Sequence, residues 1–169
     1  TEIYTLSLHD ALPILAFLLQ MAILSRMTLL SGTVDLVLLV IVSWSLQEQV
    51  ESSWHWAGWA GLLAGFTSGL PPYAPLLGYL LTVGMARLLL RQIWQAPILA
   101  LFSVTFFATL LTHLVTFVGL FINGTLLPVG DVLSLITLPG VFLNLLFILP
   151  VHAVIRDLAL WVYPVEELV

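Results

Sequence analysis

The sequence predicts an all-α fold, a polytopic membrane helix bundle of about six transmembrane helices in a single domain. Three observations lead there. Of the 169 residues 61% are hydrophobic and 8% charged, against about 25% charged in soluble domains. The mean hydropathy is +1.15, and a chain of this length with short connections holds roughly six runs of the ~20 apolar residues that a spanning helix needs. The few arginines sit at the ends of apolar runs, where long basic side chains reach the headgroups.

Composition also removes several function classes. Cysteine is absent, so no disulfide framework, thiol nucleophile or thiolate metal site is available. The net charge of −5 comes from four arginines and nine acids, with no lysine and no basic cluster. That balance argues against a nucleic-acid partner and against an anionic-lipid patch. Partners are expected among other membrane proteins and the lipid bilayer.

Residues 1–14, TEIYTLSLHDALPI, are more polar than the rest and do not begin with Met. They resemble a translated sequencing adapter and are set apart as a non-native leader. The transmembrane domain is expected over 15–163 and a cytoplasmic tail over 164–169. The first span, 11–24, is short, as truncation would make it, and Gln20 is its one polar residue after Pro13. The second, 34–46, is nearly all Val, Leu and Ile, with Asp35 at its mouth as a helix cap facing the positive end of the helix dipole.

A polar loop, QEQVESS at 47–53, leads into the third span at 54–70. Here Gly61, Gly65 and Gly69 recur every four residues, which stacks them on one helical face as a groove for another backbone, within the bundle or from a partner. Pro71-Pro72 stops the helix. The fourth span, 75–90, ends at Arg87 and Arg91. The fifth, 96–122, is long enough to tilt, and its polar residues Thr105, Thr109, Thr112 and Thr116 follow helical spacing beside His113. This intramembrane stripe is expected to bond its own backbone and face a neighbouring helix. With Asn144 of the last span, it is also the one candidate lining for a small-ligand cavity.

Asn123-Gly124-Thr125 opens a loop. Residues 132–138 read as an interfacial turn of helix, interrupted by Pro139-Gly140, before the sixth span at 139–162. That span contains Asn144 and Pro150, and a kink is expected at Pro150. Basic residues accumulate on the cytoplasmic side. Arg87, Arg91 and Arg156 serve as topology determinants and put both termini in the cytoplasm. All six tryptophans fall at the same ends, as interfacial anchoring predicts.

Catalytic chemistry is not visible. The sequence has no HExxH pair, no GxSxG elbow and no Walker glycine loop. No enzyme, cofactor or metal is expected.

Several stretches taken in order resemble the bacterial rod shape-determining protein MreD family. They are Gln20 in a short first helix, Asp35-Leu36-Val37-Leu38-Leu39 opening an aliphatic second, and GLLAGFTSG in the third. LGYLLTVGMARLLLR in the fourth and LPGVFLNLLFILP in the last complete the set. Where members often carry an acid late in the third helix this chain has Thr67 and Ser68, so no role of that acid carries over. The resemblance implies a non-enzymatic inner-membrane scaffold of the cell-elongation machinery. Its partners would be the bitopic protein MreC, a peptidoglycan synthase and transpeptidase and, indirectly, MreB. It also implies a bundle similar to the substrate-binding subunits of energy-coupling-factor transporters, which makes a vitamin-binding subunit the alternative.

Overall fold

The computed structural model describes residues 33–47, 50, 53–90 and 97–162. The leader at 1–14, the first span with Gln20, and Arg26, Arg91, Trp94 and the tail at 164–169 lie outside the described residues. Among the described residues the chain is all-helical. Its five helices are α1 (Leu36–Ser45), α2 (Ser53–Thr67), α3 (Tyr73–Leu90), α4 (Pro97–Ile122) and α5 (Val129–Val162). Helices α4 and α5 are long and apolar enough to cross a membrane, whereas α1 and α3 are apolar but shorter.

Contacts at the two ends fix the helix directions. Arg87, late in α3, donates through Nη2 to the Val50 carbonyl and to Ser53 Oγ between α1 and α2. In the same region Ile155 and Ala159 of α5 pack with Trp44, Val50 and Trp56. At the opposite end Gly65 lies against Pro72, and Tyr73 Oη donates to the Gly119 carbonyl of α4 at 3.2 Å. Consecutive helices therefore run antiparallel.

Helix α1 is the axis of the bundle. It touches each of the other four helices, and every residue from Val37 to Ser45 is buried. Its aliphatic sequence suits lipid, yet protein surrounds it, and its ten residues make a rod of only about 15 Å. Leu38, Leu39, Val42, Val83, Leu101, Val104 and Leu143 form the core around it. If lipid surrounds the bundle, its tails are as apolar as these side chains, so dispersion in close packing rather than release of water holds them.

Glycines let the backbones come that close. A Cβ added at Gly61 would sit 2.6 Å from the Leu76 Cα, and one at Gly65 would sit 2.6 Å from the Pro72 carbonyl oxygen. Gly78 faces Thr112 in the same manner, at 3.1 Å from its Cγ2. Gly69 differs. Helix α2 stops at Thr67, and Gly69 has φ +67° with open space around it, so it is the left-handed residue of the turn rather than the third member of the groove.

Two further expectations look different in three dimensions. Pro139-Gly140 does not separate a short turn from the last span, because α5 runs unbroken for 34 residues with a π-helical stretch at Val132–Thr137. Proline supplies no N–H to the carbonyl four residues before it, and just ahead of Pro139 the ladder already has the wider register, with Leu138 N–H bonding the Leu133 carbonyl. The tryptophans also divide. Trp44 and Trp56 are buried and stacked at 4.9 Å, while Trp54, Trp59 and Trp161 are exposed.

The outer surface is apolar. Phe66, Phe107, Leu114, Phe121, Phe142, Leu146 and Val154 are all exposed. Two hydroxyls on that surface bond their own helices, Thr67 to the Leu63 carbonyl at 2.7 Å and Ser134 to the Gly130 carbonyl at 2.8 Å.

Candidate functional site

The start of α1 poses a backbone problem. A helix begins with N–H groups that no carbonyl of its own can take, and this beginning lies inside the bundle. Asp35 solves part of it, since its Oδ1 accepts the Leu38 N–H at 2.9 Å as the N-cap. The N–H of Asp35 itself goes to Asn144 Oδ1 of α5 at 3.0 Å. Asn144 is 1% exposed and donates through Nδ2 to Thr109 Oγ1 of α4 at 3.1 Å. From α3, Tyr79 Oη approaches both carboxylate oxygens of Asp35, at 3.2 and 3.1 Å.

Four helices thus meet in one chain of hydrogen bonds. It runs from Tyr79 on α3 through Asp35 at the head of α1 and Asn144 on α5 to Thr109 on α4. The chain ends on backbone, because Thr109 donates to the Thr105 carbonyl at 2.8 Å. Every link joins a donor to an acceptor, the condition under which a buried polar network holds a core together.

The threonine stripe is largely spent on its own helix. Thr105 donates to the Leu101 carbonyl at 2.7 Å and Thr112 to the Ala108 carbonyl at 2.8 Å. Thr105, Thr109 and Thr112 are buried and Thr116 is half-buried. Of these, only Thr109 is drawn into the node. His113 stays outside it, with its ring against Gly140 and Nδ1 buried without a hydrogen-bond partner among the described residues. Polar groups consumed in this way leave little to line a ligand cavity. Among the described residues no three His, Cys, Asp or Glu side chains gather as a metal site would require.

Gly61 and Gly65 lie away from the node, in the α2–α3 contact. Arg87 ties α3 to the loop between α1 and α2, while Arg156 makes an exposed ion pair with Asp157 at 3.0 Å. Tyr79 is the member that residue-by-residue reading passes over, since one tyrosine in an apolar helix gives no periodic signal. The clue was its neighbour Gly78, which brings α3 against Thr112 of α4.

No family model, curated protein or solved structure matches the chain.

Proposed function

We propose that the protein is a non-enzymatic, multi-pass membrane scaffold of the MreD type, acting in bacterial cell-wall elongation with MreC and the peptidoglycan-synthesising enzymes. One observation carries the reading. Asp35, Tyr79 and Asn144 come from three separate stretches of the resemblance, and they converge on a single hydrogen-bonded node. Residues scattered over about a hundred positions, each in nondescript apolar sequence, have a shared reason to occur together if that node defines the fold. A scaffold needs such a fixed arrangement of helices, and it needs neither a catalytic group nor a cavity.

In this reading the bundle crosses the inner membrane about six times with both termini in the cytoplasm, and the Arg87 end faces the cytoplasm. The short α1 and the non-helical Val34 and Asp35 before it are tolerated at membrane depth because they lie within the bundle and the node takes up the N–H groups of Asp35 and Leu38. The glycine face of α2 is used within the bundle, so MreC would dock elsewhere.

The test is complementation. Expressed in a rod-shaped bacterium depleted of its own MreD, the chain should restore rod shape and co-purify with MreC, and Asn144→Leu should do neither. Round cells and no MreC, despite normal amounts of the chain in the membrane, would sink the scaffold reading. A saturable thermal shift with a vitamin would favour the transporter subunit in its place. A reporter fused after Leu126 that proves cytoplasmic would reverse the topology.

A further inference from the structure

The end of the bundle where α4 gives way to α5 carries a run of apolar side chains that are exposed among the described residues. Phe121, Ile122, Leu126, Leu127 and Val129 are exposed through the turn, and Leu126, at 77%, is among the most exposed large side chains of the protein. A connecting loop in water is ordinarily built from polar residues. Here Leu126-Leu127-Pro128 forms its second half.

The first turns of α5 continue the pattern. Leu133, Leu135, Ile136 and Leu138 are exposed, and Thr137 is the one buried residue of the π-helical stretch. Four successive residues, Leu133 to Ile136, are exposed, so they cover most of the circumference of the helix, and the side that Thr137 occupies is the one turned to the bundle. A helix that docks on a protein confines its apolar residues to a stripe, whereas one that is apolar all round is surrounded by apolar medium. The polar groups present agree with this. The Ser134 hydroxyl is turned back to the Gly130 carbonyl, and Asp131 is exposed at the helix start, where a carboxylate can stay among headgroups.

Length leads to the same place. The 34 residues of α5 extend about 51 Å, well beyond a hydrocarbon core of about 30 Å. Standing upright, α5 would push its apolar first turns out into water. The π stretch next to Pro139 marks where the helix axis can change direction, as π-bulges and prolines do.

We infer that residues 121–138 are immersed in the acyl–headgroup boundary of one leaflet, with lipid around every side except the one that Thr137 turns to the bundle, so that the bilayer itself is the partner of this end of the bundle. The inference rests on the membrane reading above but not on the MreD assignment. It adds a lipid-anchored shoulder beside the spans.

The absence of cysteine makes the test direct. Single variants Leu126→Cys, Leu133→Cys, Leu135→Cys, Leu138→Cys and, as a reference in the middle of α5, Leu146→Cys are labelled with a nitroxide and reconstituted as full chains in phosphatidylethanolamine–phosphatidylglycerol vesicles. Collision rates with oxygen and with a water-soluble nickel complex are then read by electron paramagnetic resonance. The four shoulder sites should all show high oxygen and low nickel accessibility, without helical periodicity and with mobile spectra. Nickel access at the shoulder with a lipid-exposed Leu146→Cys would overturn the shoulder alone, and nickel access at both would overturn the membrane reading. Immobilised spectra on one side of the helix would assign the face to a protein partner and also refute the inference.

Discussion

Three glycines on one helix should respond to the same substitution with opposite signs. Gly58, Gly61 and Gly65 all lie in α2, where alanine is favoured over glycine by about 0.5–1 kcal/mol through backbone entropy alone. At Gly58 an added Cβ meets nothing within 4 Å, so Gly58→Ala should realise that gain. At Gly61 and Gly65 the new atom would stand 2.6 Å from backbone, of Leu76 in α3 and of Pro72 just before it, about 1 Å inside an ordinary carbon contact. Neither the Leu76 Cα nor the Pro72 carbonyl can swing aside as a side-chain tip would, and at Gly65 the Pro72 Cα follows at 2.9 Å. The helices must separate, and overpacking of this sort costs about 1–3 kcal/mol. Subtracting the entropy gain leaves a net loss of roughly 0–2.5 kcal/mol. At about 2–4 °C per kcal/mol for a chain of this size, Gly58→Ala should raise the melting temperature in detergent by a few degrees, and Gly65→Ala should lower it. Circular dichroism melts of the three variants at one detergent concentration decide the matter. If Gly61→Ala and Gly65→Ala melt at or above Gly58→Ala, the close α2–α3 approach is not a feature of the protein.

Removing Asn144 strands the Asp35 N–H inside the bundle. Asn144→Leu should cost about 1–3 kcal/mol, read as a lower melting temperature, with Thr109→Val costing less because Asn144 keeps its bond to Asp35. Asp35→Ala loses the α1 cap, worth about 0.5–2 kcal/mol, and also leaves the Tyr79 hydroxyl without its acceptor. In a double-mutant cycle Asp35→Ala and Tyr79→Phe should therefore fall well short of additivity, and full additivity would mean that the two do not interact. Arg87→Ala frees the Val50 carbonyl, so amide exchange around residue 50 should quicken while exchange in the middle of α4 is unchanged.

The apolar runs and the capping position of Asp35 were legible in the sequence, because each rests on a local rule, whereas α2 ends at Thr67, before the Pro71-Pro72 pair expected to stop it. Equally legible was the expectation that the threonines would bond their own backbone, which Thr105, Thr109 and Thr112 do. Less legible were relations that depend on which helix lies beside which. Two tryptophans at the same end of the bundle as their fellows became core because α5 closes over that end through Ile155 and Ala159. Gly69 shares the spacing of Gly61 and Gly65 but falls past the end of α2, and spacing continues to count residues after a helix has stopped. The node was the hardest to foresee. Asp35 and Asn144 stand 109 residues apart, and neither residue type marks the other.

The position of α1 also sets an order of events. The chain grows from its N-terminus at about 5–20 residues per second, so Asp35 emerges with Tyr79 still 44 residues away and Asn144 109 away. At that rate its last partner arrives roughly 5–20 s later. Until then the helix destined for the centre lacks part of its surroundings, spans only ten residues, and has no Asn144 to accept the Asp35 N–H. In the membrane reading proposed above, α1 waits in the company of the insertion machinery or at the membrane surface until α5 arrives and closes the bundle around it. The N–H at the head of α1 is answered only once α5 has been made.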